Sequence, residues 1–406
     1  MAGVELVLDI GPVAHGGHCV ARHDGRAVFV RHALPGERVR AVVTDGRERD
    51  RFWRADAVQI LTPSPDRVVA PCPWAGPGRC GGCDWQHAAL PAQRVLKAAV
   101  VREQLTRLAG LDLPVHVEAV ALPSDGRDRD DADGRDRDDG LGWRTRVGLH
   151  VRPDGRAGLL AHRSHEVVPI EDCLIAHPSL ALPEVLGRDW SGHSRVDVLM
   201  TPASGRVVLP TPPDLEVPTV TERAAGRNWR LSARSFWQGH PGAADVLVAA
   251  VLAGLRPLPG ERALDLYAGV GLFTGPLAEA VGRQGAVAAV EGDAAAVSAA
   301  AANLADLPWV SVVRGDVAAV LAGSEALPVD LVVLDPPRIG AGQSVVDAVA
   351  DRAPRAVAYV ACDPAALARD VAAFAGRGYA LASLRAFDLF PMTAHVECVA
   401  VLVTGS

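Results

Sequence analysis

The chain has 406 residues, of which 49% are hydrophobic and 22% charged, and its formal net charge at pH 7 is −7. At roughly 100–200 residues per domain this length predicts two to four domains, and the composition excludes a collagen, a coiled coil and a wholly disordered protein. No run approaches the roughly 18 consecutive apolar residues of a membrane span, and we see no signal peptide, so we expect a cytoplasmic protein.

The charge is uneven along the chain. From Pro241 onward 17 acidic residues stand against 10 basic ones, whereas residues 1–240 hold equal numbers of each. Neither part is basic, so composition gives no support for nucleic-acid binding. An RNA partner would require arginines that are grouped on one face of the folded chain.

The first 64 residues predict short strands separated by glycine turns. Five short strands in about 60 residues are typical of a small barrel of the oligonucleotide-binding kind, although this periodicity fits any small β-domain. The predicted strands are Val4–Ile10, Gly17–His23, Arg26–Arg31, Arg38–Thr44 and Phe52–Ile60.

Three cysteines within twelve residues follow this segment. Seven residues separate Cys72 from Cys80 and two separate Cys80 from Cys83, while Cys173 lies far downstream. Four thiolates can bind zinc or an iron–sulfur cluster, and this spacing is unlike the two close pairs of a zinc ribbon. We favour a [4Fe–4S] cluster, with zinc and free buried thiols as the open alternatives.

The middle of the chain is predicted to be mainly β-rich. A helix is expected over Pro91–Gly110, and a disordered surface loop over residues 125–140, where GRDRDD occurs twice. β-rich patterns with Pro and Gly punctuation then continue from Gly142 to Val220. The predicted strands there are Arg144–Val151, Ala157–His162 and Val196–Thr201.

From about Pro241 helical and strand patterns alternate at short intervals. Such alternation predicts a parallel sheet covered by helices. The predicted helices are Ala243–Leu255, Gly275–Val281 and Asp293–Ala305, and the strands are Arg262–Leu266, Gly285–Val290, Val310–Val313 and Leu331–Leu334.

A glycine turn follows the first strand of this region. Gly269 and Gly271 allow the backbone to turn tightly and approach a ligand. Glu291 and Asp316 follow the next two strands, where they suit ribose hydroxyls and an adenine amino group. Without a third glycine or a Gly-Lys-Ser/Thr sequence, NAD and ATP are disfavoured and S-adenosylmethionine fits. The alternative for each glycine alone is an ordinary loop residue, and for Glu291 and Asp316 it is a solvated charge or a helix cap.

Cys362 stands between a predicted strand and a predicted helix over Ala365–Phe374. The positive end of the helix dipole favours a thiolate, which is the nucleophilic form. The alternative is a small buried apolar residue. Glu397 leads into an apolar strand, where burial would raise its pKa and make it a usable base, and His395 is the alternative base.

These motifs together resemble the RNA 5-methyluridine methyltransferases that carry a TRAM domain and an iron–sulfur cluster. The resemblance covers nearly the whole chain. The matching stretches are Ala33–Val39, Cys80–His87, Asp335–Arg338, Cys362–Pro364 and His395–Glu397.

The resemblance implies a fold and a set of site residues. The fold is a TRAM-like β-barrel at residues 1–65, a central β-rich iron–sulfur domain at 66–240 and an α/β class I (Rossmann-like) methyltransferase domain at 241–406. Cys362 would be the nucleophile and Glu397 the base. Cys72, Cys80, Cys83 and Cys173 would hold [4Fe–4S], and Gln238, Tyr267, Glu291 and Asp335 would contact S-adenosylmethionine, with Asp316 a further contact in some members.

The implied reaction is C5 methylation of a uridine in structured RNA. A thiolate adds to carbon 6, carbon 5 takes the methyl group, and a base removes the carbon 5 proton so that the cysteine can leave. We expect a monomer acting on RNA, with 23S ribosomal RNA slightly favoured over transfer RNA. The alternatives are a methyltransferase for a small molecule and a catalytically idle RNA-binding or redox-sensing protein.

Four features depart from the family pattern. Leu272 replaces a polar residue that often contacts the donor, and His240 stands where many members have asparagine. The first cysteine gap is seven residues where many members have five. The aspartate-rich insert at 125–140 is also unusual.

Overall fold

The N-terminal part of the computed structural model is a curled five-stranded sheet. The structure describes residues 3–123, 139–213, 216–323 and 327–405. Because the two edge strands of this sheet contact each other, it curls into a barrel, as predicted. The strands are β1 (Glu5–Asp9), β2 (Cys19–His23), β3 (Arg26–Arg31), β4 (Arg38–Asp45) and β5 (Phe52–Thr62), in the order β1-β4-β5-β3-β2.

The middle of the chain forms a second five-stranded sheet and a hairpin. Helix α2 (Leu182–Leu186) lies in a loop of this part. The predicted strands here are confirmed, whereas four others were not predicted: Val167–Pro169, Gly205–Thr211, Thr219–Ala224 and Arg227–Ser232. The sheet has the order β11-β10-β7-β8-β9 and contains β7 (Arg146–Val151), β8 (Ala157–Leu160), β9 (Val167–Pro169), β10 (Arg195–Thr201) and β11 (Gly205–Thr211); the hairpin is β12 (Thr219–Ala224) and β13 (Arg227–Ser232).

The C-terminal part is built on an eight-stranded sheet with the order β16-β15-β14-β17-β18-β20-β19-β6. The strands β14 to β18 are parallel, whereas β20 runs antiparallel between β18 and β19. The strands are β14 (Arg262–Leu266), β15 (Ala286–Glu291), β16 (Val310–Arg314), β17 (Leu331–Leu334), β18 (Ala356–Ala361), β19 (Tyr379–Asp388), β20 (Glu397–Thr404) and β6 (Val117–Ala119).

Helices cover both faces of this sheet, which explains why β17 and β18 are apolar throughout. One face packs on α3 to α5 and the other on α1 and α6 to α8. The helices are α1 (Leu90–Gln104), α3 (Ala243–Leu255), α4 (Thr274–Val281), α5 (Ala294–Asn303), α6 (Val317–Gly323), α7 (Gln343–Ala350) and α8 (Pro364–Ala375).

One segment of the predicted central domain belongs to the C-terminal sheet in space. Strand β6 pairs in parallel with β19, and α1 packs against β6 and α8. Helix α1 continues into a π-helical turn, Leu105–Ala109, and ends at Gly110, whose φ of 68° suits glycine. Most of the insert at 125–140 lies outside the described residues, so its predicted disorder stays a prediction.

Candidate active site

Strand register brings the predicted nucleophile and base together. Ala361 pairs with Cys398 in the antiparallel ladder of β18 and β20, so the next residues outward, Cys362 and Glu397, are neighbours. Glu397 is buried and Cys362 is partly buried. A thiol and a carboxyl therefore share one end of the sheet, although 34 residues separate them in sequence.

The thiol of Cys362 is held in its protonated form by its own surroundings. Burial, and then the nearby Glu397 carboxylate, raise its pKa to about 11, while the Arg338 guanidinium opposes them. The predicted helix cap is confirmed, because the Asp363 carboxylate accepts a hydrogen bond from the Ala366 N–H at 2.8 Å. The expected thiolate-favouring effect of the helix end is thus outweighed by burial and neighbouring carboxylates.

Glu397 has the environment that a base needs. Burial, and then the charge of Asp335, raise the pKa of its carboxyl well above the usual value, with Arg338 acting in the opposite direction. His395 is exposed, and its Nε2 lies 3.5 Å from the Arg338 guanidinium. Although part of the side chain is exposed, desolvation of the ring by its neighbours, and then the Arg338 charge, lower the pKa of His395. Of the two candidates, only Glu397 adjoins Cys362 through the strand register.

The glycine turn after β14 has the backbone that was predicted. Gly269 and Gly271 have φ values of 55° and 96°, in the left-handed region. The Glu291 carboxylate accepts hydrogen bonds at 2.8 Å from the N–H of Gly269 and from the N–H of Asp293. Glu291 therefore braces the turn itself. A carboxylate has about four acceptor positions, so Glu291 retains capacity for a ribose hydroxyl.

Asp316 caps a helix, which was the alternative role considered for it. Its carboxylate accepts a hydrogen bond at 2.9 Å from the N–H of Ala319 at the start of α6. Burial, and then the charges of Asp316 and Asp370, raise the pKa of Tyr267 to about 12. Tyr267 also has a φ of 65°, which few non-glycine residues adopt.

Gln238 and Asp335 are the remaining residues that were predicted to contact the methyl donor. Gln238 is buried, in a segment whose Gly239 carbonyl accepts hydrogen bonds from the Thr145 backbone and side chain. The Asp335 N–H donates to the Leu266 carbonyl at 3.3 Å, which sets Asp335 beside the start of the glycine turn. Burial, and then Asp265, raise the pKa of Asp335 to about 7.

Sequence reasoning missed Asp265 as a member of this site. It is fully buried in β14, where Thr274 donates to its Oδ2, and its Oδ1 accepts no hydrogen bond from the described residues. Burial raises its pKa to about 7, and the Glu291 carboxylate adds to the effect. A single acidic residue inside an apolar strand was the available signal. Leu272 is packed in the core, so it offers no polar contact to a donor.

The four cysteines predicted as ligands line one small pocket. Burial raises the pKa of Cys83 to about 12 and that of Cys173 to about 11, and charge on the other thiols contributes. Cys83 accepts a hydrogen bond from the Gln86 side chain at 3.4 Å, and Cys80 accepts one from the Gly82 N–H at the same distance.

The four thiols do not surround one point closely enough to hold a single ion. Among the described residues, no three His, Cys, Asp or Glu side chains converge closely enough to hold one metal ion. A lone zinc would need its thiolates about 2.3 Å from one point. The four cysteines line one pocket, and the cluster assigned to them stays a prediction.

Comparison with known families identifies the two ends of the chain. Residues 1–58 match the TRAM domain, and residues 324–404 match the tRNA (Uracil-5-)-methyltransferase family. An uncharacterized RNA methyltransferase of Streptomyces avermitilis is 50% identical, and the alignment covers 98% of each chain. The 23S rRNA (uracil(1939)-C(5))-methyltransferase of Chromohalobacter salexigens is 34% identical, over 97% of this chain and 88% of that protein.

A solved structure shares the fold over the whole length. The tRNA (uracil-54, C5)-methyltransferase of Pyrococcus abyssi, in complex with S-adenosyl-L-homocysteine, superposes with a TM-score of 0.69 at 21% identity, covering 98% of this chain and 100% of that one. Among the described residues, no helix could cross a membrane. On the full-length similarity to these relatives, the chain belongs to the RNA uracil-C5 methyltransferases.

Proposed function

We propose that this enzyme methylates carbon 5 of one uridine in 23S ribosomal RNA through a covalent intermediate on Cys362. The observation that carries the proposal is the β18–β20 register, which sets Cys362 beside the buried Glu397 at the strand ends where the glycine turn also lies. The 34% identical relative, named as a 23S rRNA enzyme, supports ribosomal RNA over transfer RNA.

The mechanism assigns one half-reaction to each residue. The Cys362 thiolate adds to carbon 6 of the uracil, which makes carbon 5 nucleophilic, and carbon 5 takes the methyl group as the sulfonium becomes a neutral thioether. The Glu397 carboxylate then accepts the carbon 5 proton. The bond from sulfur to carbon 6 breaks, and the cysteine is restored as a thiolate.

The acidic groups of the site suit a positively charged partner. Cys362, Asp335 and Glu397 all have raised pKa values, because burial and mutual repulsion disfavour their charged forms. The methyl donor carries its transferable methyl group on a positively charged sulfur. A cation beside these groups favours thiolate and carboxylate, the forms that each half-reaction requires.

Exposed apolar groups flank the site and suit an RNA partner. Phe236, two residues before Gln238, is 76% exposed, and Ile339, directly after Arg338, is 80% exposed. A base that undergoes chemistry must leave its stack, and apolar side chains can cover the bases that remain. Arg338 adds a cation at the same edge.

Methyl transfer from labelled S-adenosylmethionine to separated ribosomal and transfer RNA tests the proposal. We expect label in 5-methyluridine of ribosomal RNA, with nucleosides identified by mass analysis. Cys362→Ala should abolish transfer while donor binding persists, and Glu397→Gln should accumulate a protein–RNA adduct. Cys19→Ala, which removes a buried thiol of the barrel, is the matched control. Label in transfer RNA alone would refute the ribosomal assignment, and no label in RNA would point to a small-molecule substrate.

The proposal includes a [4Fe–4S] cluster held by Cys72, Cys80, Cys83 and Cys173. Such a group would tie segments before and after α1 together, and we assign it no step in methyl transfer. Protein purified without oxygen should contain about four iron and four sulfide per chain. Cys83→Ser and Cys173→Ser should lose both, while Cys19→Ser should keep them. Stoichiometric zinc without sulfide would contradict this assignment.

A further inference from the structure

The turn that leads into the base has an unusual backbone. Residues 389–396 connect the end of β19 to Glu397 and carry His395. Met392, in this turn, has a φ of 68°, a left-handed conformation that a side chain other than glycine seldom adopts. Contacts from outside the turn must therefore hold it in place.

Asp84 supplies the central contacts. The N–H groups of Asp84 and Trp85 both donate to the Met392 carbonyl at 3.0 Å. In return, the Ala394 N–H donates to the Asp84 carboxylate at 2.9 Å. The Gln93 side chain of α1 accepts a hydrogen bond from the Met392 N–H at 2.8 Å. Met392 and Ala394 are thus fixed by residues about 300 positions away in sequence.

The same residue adjoins the cysteine site and the barrel. Asp84 directly follows Cys83, and Met392 packs in one apolar cluster with Cys83 and Cys173. Arg31 of the barrel lies 3.7 Å from the Asp84 carboxylate. The turn is also closely packed, since a Cβ added at Gly17 would lie 2.6 Å from that of Ala394.

We propose that Asp84 is a positioning residue for Glu397, and that the cysteine site acts on catalysis through it. The inference rests on the proposed roles of Cys362 and Glu397. Cys362 is held by β18 and the N-terminus of α8, not by this turn. Loosening the turn should therefore slow proton removal by Glu397 far more than addition by Cys362.

Asp84→Ala and Asp84→Asn test this role. Asp84→Ala removes the acceptor for the Ala394 N–H, so turnover should fall about 10- to 100-fold, as expected for a misplaced catalytic group. A methylated protein–RNA adduct, stable in detergent, should accumulate as in Glu397→Gln. Asp84→Asn keeps an acceptor oxygen and should keep most of the turnover. Asp66→Ala, an exposed aspartate before α1, is the control.

Hydrogen exchange supplies a readout that is independent of activity. The amides of Met392 and Ala394 should be protected in the wild type and in Asp84→Asn, and should exchange faster in Asp84→Ala and in Cys83→Ser. Unchanged exchange in Asp84→Ala would overturn the inference. An equal loss of turnover in both Asp84 variants would overturn it too, because the charge rather than the acceptor would then matter. Failure of Glu397→Gln to accumulate any adduct would instead refute the covalent mechanism.

Discussion

At the scale of single residues, the site is a group of acids whose burial disfavours their charged forms. Cys362, Glu397, Asp335 and Asp265 all have raised pKa values; the first three are each affected by another member, and Asp265 is affected by Glu291. Arg338, an exposed cation, lowers the pKa values of Cys362 and Glu397 and so opposes the effect of burial. The helix N-terminus next to Cys362 is a partial charge, so full charges nearby and loss of water outweigh it.

A cation in the donor site should therefore activate the thiol. We expect alkylation of Cys362 at pH 8 to be several-fold faster with bound S-adenosylmethionine than with S-adenosylhomocysteine, which has the same shape but a neutral sulfur. Because the thiol pKa is about 11, the thiolate fraction below that value changes about tenfold per pH unit. Mass analysis of the alkylated peptide measures the rate. Equal rates with the two ligands would contradict this electrostatic account.

At the scale of elements, the glycine turn after β14 combines left-handed backbone with close packing. A Cβ added at Gly271 would lie 2.8 Å from the Leu304 side chain, whereas one added at Gly269 would meet no atom within 4 Å. The φ of 55° at Gly269 is also within the left-handed region open to other residues, whereas 96° at Gly271 is not.

Alanine substitutions at these two glycines should therefore differ. Gly271→Ala should lower the free energy of unfolding by about 1–3 kcal/mol and weaken donor binding, because it forces a disfavoured φ and a displacement of Leu304. Gly269→Ala should lower the free energy of unfolding by about 1 kcal/mol. Urea unfolding and calorimetric titration with S-adenosylhomocysteine measure both effects. A larger loss from Gly269→Ala would refute the geometric argument.

At the scale of the whole molecule, the barrel reaches the strand end that carries Cys362. The His15 imidazole lies 3.0 Å from the carboxylate of Asp363, the residue directly after Cys362. The hydrogen bond to Asp363 raises the pKa of His15 above its usual value, although burial works against it, and the charges of Glu103 and Arg369 also act on the ring. This pair is one of the contacts that hold the barrel against the methyltransferase part.

The contact between barrel and catalytic part should depend on pH. Because the folded pKa of His15 is raised, its stabilising effect should be complete below about pH 6.5 and be lost as pH rises through the folded value. Because the His15 side chain is 41% exposed, we expect the pair with Asp363 to contribute less than about 1 kcal/mol of stability. Amide protection factors of residues 14–18 at pH 6 and pH 8.5 measure it. His15→Ala should remove the pH dependence, and His116→Ala, at an exposed position, should keep it.

Local sequence determined the elements and the types of chemical group. Ala243–Leu255, Arg262–Leu266 and Leu331–Leu334 begin and end where the patterns predicted, since hydrophobic period and glycine punctuation are short-range signals. The cysteine, glycine-turn and Cys362–Asp363–Pro364 motifs were likewise readable from adjacent residues. Composition gave no hint of RNA, because the arginines are balanced by acidic residues along the chain.

Only the tertiary structure decided which of these groups meet. The antiparallel insertion of β20 beside β18 pairs Cys362 with Glu397, and the pairing of β6 with β19 moves a middle segment into the C-terminal sheet. The contacts of Asp84 with the turn before Glu397 and the buried Asp265 were equally unpredicted as site features. The reason is physical: a periodic pattern specifies how each segment folds and which face it buries, whereas strand order and burial depth depend on partners far away in sequence.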